Sequence, residues 1–432
     1  MKKIFFWSIV SFFAVGIALG GFFWLGKPQV ITLSGGTKLT LLGVTHGKHH
    51  AAPKIKSAGG RTRGGAARLD STNDTLVVWI QAEHKPNNYE WQNYQLLVYD
   101  KADTACVSTW SRTQSQIRNN LDIQGFKLDA YPRWDSKIIL RIMSWGNGER
   151  VAKGQFVVSN PARHSAAKWS AETVPDKQSD GDLDVTLTRF IYGVEGFQGG
   201  NRSSKDPANK AVLAAFRTEQ NGILVTNWQP IRIETTDATG NNIENNSWSN
   251  RRENDEAVMT YQWGLWPNET PWKLRVEMSQ SAGYADNELW TVQNVPVNPG
   301  RQQDLWNFDS RNNRNVPAFA ETSLQGIHLK LFPVIQFTDQ NQGNGEKRGG
   351  FRIQADQTLN GMQMTLVTAT DEQGHVVPSW NGNGWGGDSR QFQFQNIRNA
   401  KFLNITMALH KSRFVEFTAK PEQAPAAAPK AQ

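Results

Sequence analysis

The segment Trp272-Lys-Leu-Arg-Val-Glu-Met278 alternates apolar and polar side chains without a break. Successive side chains of a β-strand point to opposite faces of a sheet, so this alternation predicts a strand with one buried and one solvated face. The segment from Phe402 to Leu409 repeats the pattern, with Leu403 and every second residue after it on one face. Roughly six or seven short segments of this kind per ~100 residues, separated by turn residues, predict an all-β fold.

Four landmarks recur in the same order three times along the chain. They are an alternating strand, an apolar strand, a strand that runs into an aspartate-containing turn, and a final pair of strands. The turn aspartates are Asp100, Asp237 and Asp371. Aspartate suits such turns because its carboxylate accepts hydrogen bonds from nearby backbone N–H groups. The recurrence predicts three copies of one β module.

The strand landmarks are read directly from the sequence. The first comprises Lys38–Gly47, Asp184–Gly193 and Ile327–Ile335, and the second comprises Leu76–Ile80, Val212–Phe216 and Phe351–Ile353. The closing pairs are Ile138–Ile142 with Gly154–Val158, Trp272–Met278 with Leu289–Val292, and Phe402–Leu409 with Phe414–Phe417. Because the two strands of each pair are close in sequence, we expect each pair to close its own module.

The pattern predicts three tandem immunoglobulin-like β-sandwich modules behind one N-terminal transmembrane helix. The three predicted modules are residues 31–160, with a basic, glycine-rich loop at 46–69, residues 182–298 and residues 321–419. Residues 161–181 and 299–320 are the predicted linkers between them. Before the modules we expect a cytoplasmic N-terminus at 1–3 and a transmembrane signal anchor at 4–25, and after them a disordered Pro/Ala tail at 420–432.

This layout resembles membrane-anchored extracytoplasmic proteins with immunoglobulin-like repeats, many of which have no assigned function. The resemblance covers most of the chain and rests on the strand pattern rather than on a diagnostic motif. It implies architecture alone, because a chain with the single cysteine Cys106 lacks the Cys…Trp…Cys spacing of antibody domains.

The N-terminal run from Ile4 to Leu25 contains 22 residues and no charge. About 20 such residues at ~1.5 Å each cross a hydrocarbon core of ~30 Å. Trp7 and Trp24 near its ends suit the membrane interface. We expect an uncleaved single-pass anchor with the bulk of the chain outside the cytoplasm; the alternative is a cleaved secretory signal.

Positive charge is concentrated beside this run. Residues 26–69 hold eight Lys and Arg and no acidic residue, while the whole chain has a formal net charge of +8. Each basic side chain near a membrane surface contributes about 1 kcal/mol of attraction to anionic lipid headgroups. We expect that contact from Lys54, Lys56, Arg61, Arg63 and Arg68. Nucleic acid is not expected as a partner, because no base-reading module is recognisable.

Three histidines, His46, His49 and His50, lie in the predicted basic loop. Imidazoles at this spacing can bind zinc or copper, but no carboxylate or thiol is near and Lys48 opposes a cation. We interpret the stretch as a solvated basic loop, with metal binding as the alternative, and we expect no cofactor.

The sequence contains no common catalytic motif. A phosphate-binding loop, a Gly-x-Ser-x-Gly elbow and a His-Glu-x-x-His helix are all missing. Asp180, Asp182 and Asp184 have the spacing of half a calcium loop, but the glycine and distal glutamate that complete it are lacking. The sequence therefore predicts a non-enzymatic binding protein. A carbohydrate-active enzyme or accessory subunit with a site between modules, and a structural spacer, are the alternatives.

Loop tryptophans provide the candidate binding residues. They stand among Asn, Gly and charged residues, where a flat ring can stack on a sugar or contact a protein. The predicted contact residues are Trp248, Arg251, Trp380, Trp385 and Asp388. A glycan or an envelope protein is the expected partner; the alternative is that each ring packs back onto its own sandwich.

Overall fold

The computed structural model describes residues 29–53, 68–85, 94–106, 112–118, 120–146, 149–163, 169–195, 197–198, 202–203, 210–246, 249–262, 264–301, 317–338, 347–380, 388–397 and 400–424. These residues form 31 β-strands and two short 3₁₀ turns, Pro267–Glu269 and Asp286–Glu288. The predicted all-β class is confirmed. None of the helices in this part of the chain is long and apolar enough to cross a membrane. The predicted anchor, Ile4 to Leu25, lies outside the described residues and stays a prediction.

The first nine strands occupy residues 30–159. They are β1 (Val30–Thr32), β2 (Lys38–Ala51), β3 (Arg68–Glu83), β4 (Gln95–Tyr99), β5 (Ala105–Cys106), β6 (Arg112–Arg118), β7 (Leu121–Leu128), β8 (Lys137–Gly146) and β9 (Glu149–Ser159). They form two antiparallel sheets with the orders β1-β2-β3-β7-β6 and β5-β4-β8-β9. We call these strands the first strand group.

Eleven strands follow between residues 176 and 280. They are β10 (Asp176–Asp180), β11 (Leu183–Glu195), β12 (Phe197–Gln198), β13 (Arg202–Ser203), β14 (Lys210–Gln220), β15 (Ile223–Val225), β16 (Trp228–Asp237), β17 (Asn242–Asn246), β18 (Ser249–Glu253), β19 (Glu256–Gln262) and β20 (Trp272–Gln280). Strands β12 and β13 form a separate ribbon.

The remaining strands reach residue 423. They are β21 (Leu289–Pro299), β22 (Ala320–Leu324), β23 (Ile327–Leu331), β24 (Val334–Thr338), β25 (Lys347–Ala355), β26 (Met362–Asp371), β27 (Ser379–Trp380), β28 (Ser389–Phe394), β29 (Phe402–Lys411), β30 (Arg413–Ala419) and β31 (Glu422–Gln423).

Strand pairing defines two further groups. In the second strand group, β10-β11-β14-β19-β18 form one sheet and β17-β16-β20-β30 the other, and β15 and β31 pair with β14 and β11. In the third strand group, β22-β23-β25-β28-β27 are neighbours, as are β26-β29-β21, and β24 joins the two sets by pairing with β25 and β21. The first two groups therefore have the same order of pairing, and the described strands of the third follow it except that β24 is added and β5 and β17 have no counterpart.

Two strands exchange places between the second and third groups. Strand β9 pairs with β8, its neighbour in sequence. In contrast, β20 pairs with β30, and β29 pairs with β21. The expected pairing of Trp272–Met278 with Leu289–Val292, and of Phe402–Leu409 with Phe414–Phe417, was therefore wrong. Only Ser412 separates β29 from β30, which is too short for a hairpin turn, so the chain runs on into the other sheet.

The aspartate turn has the same hydrogen bonds in all three groups. The Oδ1 atom of each aspartate accepts the N–H groups two and four residues further on: those of Ala102 and Thr104 for Asp100, Thr239 and Asn241 for Asp237, and Gln373 and His375 for Asp371. The fourth residue of each turn has positive φ, which glycine adopts without strain. It is Asp103 (64°), Gly240 (90°) and Gly374 (83°).

Two other expectations change in the structure. Proline has no N–H and interrupts a sheet ladder, so Phe332-Pro333 divides the predicted strand Ile327–Ile335 into β23 and β24. Residues 420–424, expected to be part of a disordered tail, include β31, which pairs in parallel with Ile191 and Tyr192 of β11. The Ala424 N–H donates to the Tyr192 carbonyl at 2.8 Å, a contact with a distant strand that the composition of the tail did not indicate.

The first and second strand groups share one contiguous apolar core, whereas the third has its own. Strand β30 contributes Val415, Phe417 and Ala419 to the shared core, each at most 4% exposed. Burying a large apolar side chain contributes about 1.5–3 kcal/mol to folding. A strand at the far C-terminal end thus stabilises the middle of the molecule.

Candidate functional site

The first and second strand groups meet at a buried polar cluster centred on Asn241, which is fully buried. Its Oδ1 atom accepts the Tyr131 N–H at 3.1 Å and the Arg133 Nε–H at 3.0 Å, and its Nδ2 atom donates to the Tyr131 carbonyl at 3.0 Å. We call Tyr131, Arg133, Asp237, Asn241 and Glu269 the junction cluster. One amide side chain from the second group therefore binds the loop that follows β7 in the first group.

Two carboxyl groups face each other in the junction cluster. Glu269 and Asp237 are 4% and 1% exposed. Glu269 Oε2 lies 3.1 Å and Asp237 Oδ2 lies 2.8 Å from the same Nδ2 atom of Asn241. Glu269 Oε1 accepts the N–H of Trp134 at 3.1 Å. Burial, with a further contribution from the neighbouring Asp237, raises the pKa of Glu269 to about 8.

The same interface continues along the Asp100 turn. The Trp266 indole donates to the carbonyl of Thr104 at 3.0 Å, and Asn268 Nδ2 lies 3.4 Å from Asp100 Oδ2. Burial raises the pKa of Asp100, and the negative charge of Asp135 acts in the same direction. The guanidinium of Arg133 lies 4.5 Å from the Tyr131 ring centroid. These contacts hold the two groups together through hydrogen bonds rather than ion pairs.

A cleft of about 670 Å³ lies beside the junction cluster. Its walls come from the Asp100 turn, β11, the first 3₁₀ turn and the segment after β30. They consist of Ala102, Thr104, Tyr192, Pro267, Asn268, Lys420, Pro421, Glu422 and Gln423. Glu422 is the one carboxylate among these described residues, whereas hydrolysis of a glycoside requires two carboxyl groups across the bond. Among its described lining residues, the cleft therefore offers hydrogen-bonding groups and one carboxylate.

The three predicted histidines do not form a common site. They lie in strand β2 rather than in a solvated loop, so that interpretation was wrong. His50 is 3% exposed, and both ring nitrogens have hydroxyl partners, Thr45 at 2.8 Å and Thr75 at 3.1 Å. His49 is exposed and lies 2.9 Å from Asp70. The period-two geometry of a strand explains why adjacent histidines point to opposite faces.

His46 packs against the ring of Tyr131 at a centroid distance of 6.5 Å. Burial lowers its pKa, and the positive charge of Arg133 acts in the same direction. In the part of the chain that the structure describes, no three His, Cys, Asp or Glu side chains are arranged to hold a metal ion. Two of the aspartates with the spacing of half a calcium loop form ion pairs: Asp182 with Arg413 at 3.0 Å and Asp184 with Lys177 at 2.9 Å.

The predicted contact residues belong to two different strand groups. Arg251 is exposed in β18, where its Nε atom donates to Glu253 at 2.6 Å. Trp380 ends β27, and Asp388 is exposed, with its carbonyl accepting the N–H of Ala355 at 2.7 Å. Trp248 and Trp385 lie outside the described residues. None of the described contacts brings Arg251 and Asp388 together.

The predicted lipid-contacting residues are described only at Arg68, which is exposed and pairs with Ala51 at the end of the β2–β3 ladder. Lys54, Lys56, Arg61 and Arg63 lie outside the described residues. Sequence reasoning selected Asp237 as a turn residue but missed Asn241 and Glu269. The adjacent Gly264-Leu-Trp-Pro267 run is the one local sign of a packed segment near Glu269.

Comparison with known proteins found no family model that matches the chain and no curated protein that matches its sequence.

Proposed function

We propose that this chain is a non-enzymatic, membrane-anchored binding protein of the cell envelope, built from three immunoglobulin-like β-sandwich modules on the extracytoplasmic side. The observation that carries the proposal is the cleft beside the junction cluster, which presents polar side chains on rigid turns. The repeated order of strand pairing supports the modular part. The uncharged run from Ile4 to Leu25 supports the anchor.

Binding is favoured over catalysis by the way in which the acidic residues are used. Glu269, the carboxyl group with the strongly raised pKa, has hydrogen-bond partners from both strand groups and is buried away from solvent. Glu422 in the cleft faces no second carboxylate among the described lining residues. A buried carboxyl group with a shifted pKa in such an interface has a structural role, because a substrate does not reach it.

The chemistry of the cleft fits a glycan or an extended peptide from another envelope protein. Thr104, Asn268 and Gln423 supply a hydroxyl and two amides, which exchange hydrogen bonds with sugar hydroxyls or with a peptide backbone. Pro267 and Pro421 supply flat apolar walls. The loop tryptophans Trp248 and Trp385, and the basic residues after the anchor, extend the same proposal to further glycan and anionic-lipid contacts.

Retention of the full chain on a polysaccharide array, with and without cleft substitutions, tests the binding role. Lys420→Ala and Gln423→Ala should each reduce retention at least fivefold with an unchanged melting temperature. Lys411→Ala, which changes an exposed lysine outside the cleft, is the matched control. Equal retention of all variants, or release of cleaved sugar from the array, would contradict the proposal.

Protease treatment of intact cells tests the location. Exposed loops of an extracytoplasmic body should be cleaved without lysis, whereas a cytoplasmic control protein survives. A body that stays intact until the membrane is broken would contradict an outward orientation.

A further inference from the structure

We propose that the junction between the first and second strand groups is proton-dependent: one hydrogen shared between Asp237 and Glu269 closes the junction cluster, and its loss opens these polar contacts beside the shared apolar core. This property belongs to the interface and does not depend on the identity of any ligand.

The hydrogen count of Asn241 carries the proposal. Its side-chain nitrogen has two hydrogens but lies within hydrogen-bond distance of three acceptors, the Tyr131 carbonyl, Asp237 Oδ2 and Glu269 Oε2. The orientation of the amide is unambiguous, because its oxygen faces the two donors Tyr131 N and Arg133 Nε. One carboxyl oxygen therefore lacks a donor unless a proton lies between the two carboxyl groups.

Among the described residues, the groups that donate hydrogen bonds to Asp237 and Glu269 are all uncharged. Asp237 accepts the N–H groups of Thr239 and Asn241, the Thr239 hydroxyl and the Asn241 amide, and Glu269 accepts the Trp134 N–H and the same amide. Two buried carboxylates in contact cannot both be ionised without a large desolvation penalty. A shared proton removes that penalty.

The charged groups that surround the pair do not replace the proton. Arg133, the nearest cation from the loop after β7, binds Asn241 Oδ1 and the face of Tyr131. Lys101 is exposed and pairs with Asp135 at 3.3 Å. The other titratable groups that face the cluster are Tyr131 and Asp135 from that loop, Asp100 from its turn, and His46 and Asp74 from β2 and β3.

The direction of the pH effect follows from the two states. In the open state Glu269 has the ordinary pKa of 4.5, whereas in the closed junction the pKa is about 8. Closure is therefore fully favoured below about pH 4.5 and is lost as the pH rises towards 8. The opening constant should rise by up to about tenfold per pH unit across this interval and level off above it.

Two neighbours modify this profile. Burial also raises the pKa of Asp100, so Asp100 acts in the same direction as Glu269. Burial lowers the pKa of His46, so protonation of His46 in acid opposes closure. The junction should therefore be tightest under mildly acidic conditions.

Hydrogen exchange of the full chain between pH 5.5 and 9, corrected for intrinsic exchange rates, tests the proposal. Peptides that cover residues 131–136 and 239–243 should lose protection about tenfold per pH unit up to about pH 8. The amide of Glu269→Gln carries its hydrogens at every pH, so this variant should have a much smaller slope, which reflects Asp100 alone. Asp371→Asn changes the equivalent turn of the third group, where His375 lies 3.2 Å from the carboxylate of Asp371, and should leave the slope intact.

Equal slopes in wild type and Glu269→Gln, or no slope in wild type, would overturn the proposal. Should Glu269→Gln fail to fold, infrared spectroscopy of the wild-type chain provides the second test. A protonated carboxyl band from a glutamate that is present at pH 6 and absent at pH 9 supports the proposal, and the absence of that band at pH 6 overturns it.

Discussion

The two interfaces between strand groups bury a glutamate in opposite ways. At the first interface, Glu269 receives hydrogen bonds from neutral groups and lies against Asp237. At the second, Glu277 is 3% exposed and pairs with Arg232 at 2.7 Å, while Ser412 and Gln363 donate to its other oxygen at 2.6 and 2.7 Å. Glu277 therefore has a cation beside it, whereas the described hydrogen-bond donors to Glu269 are neutral, which is the setting of the proposed shared proton.

The two interfaces also differ in whether strands are exchanged across them. No strand ladder between described residues joins the first group to the second. The second and third groups exchange β21 and β30, and β29 continues into β30 through a single residue. No described strand is exchanged across the first interface, which is held by the shared core and the junction cluster, whereas at the second interface the one-residue link at Ser412 ties the two sheets together.

Removal of β30 should have the largest effect. A chain that ends at Lys411 lacks Val415, Phe417 and Ala419 of the shared core and the ladder to β20. The expected loss of stability is more than about 5 kcal/mol, enough to unfold the second group. Soluble yield and circular dichroism measure it. A chain that ends at Ala424 is the control; normal melting of the shorter chain would show that the exchanged strand is dispensable.

Arg232→Met should have the next largest effect, because it leaves Glu277 buried without its cation. Arg232 is itself more than a third exposed, so we expect a loss of about 2 kcal/mol rather than the larger value of a fully buried pair. Urea unfolding measures it. The double variant with Glu277→Gln should recover part of the loss, and a more severe loss in the double variant would argue against the ion pair as the cause.

A comparison of pH dependence sharpens the contrast between the two glutamates. Glu269→Gln should melt at a higher temperature than wild type at pH 9, by about 3 °C or more, because wild type then carries an ionised buried pair. Glu277→Gln should melt lower than wild type at both pH 6 and pH 9, since it loses the pairing with Arg232. Identical pH profiles for the two variants would show that Glu269 and Glu277 do not differ in protonation.

The smallest expected effect lies outside both interfaces. Asp371→Ala removes the carboxylate that accepts the N–H groups of Gln373 and His375 in an exposed turn. We expect a loss of about 1 kcal/mol, measured by urea unfolding, because water replaces much of the lost hydrogen bonding. Asp237→Ala should lose more, since the same turn is buried there. Equal losses would mean that the junction adds nothing to the turn.

Sequence patterns predicted the local features of this chain and failed where distant segments meet. The aspartate turns were predicted at all three positions, because the Oδ1 atom of each carboxylate accepts N–H groups that lie two and four residues further on. The histidines of β2 were misjudged, because burial of His50 depends on Thr75 across the ladder. Glu269 was missed, because its partners Trp134 and Asn241 are 135 and 28 residues away.

The all-β class and the positions of the strands follow from alternation and turn chemistry, which are encoded within a few neighbouring residues and need no knowledge of the rest of the chain. The choice of partner for each strand was decided in three dimensions. Strands β9, β30 and β21 occupy equivalent positions beside β8, β20 and β29, and the one-residue connection at Ser412 prevents β30 from folding back onto β29. The state of Glu269 was decided in the same way, because a pKa depends on the water, charges and donors that the fold places around the group.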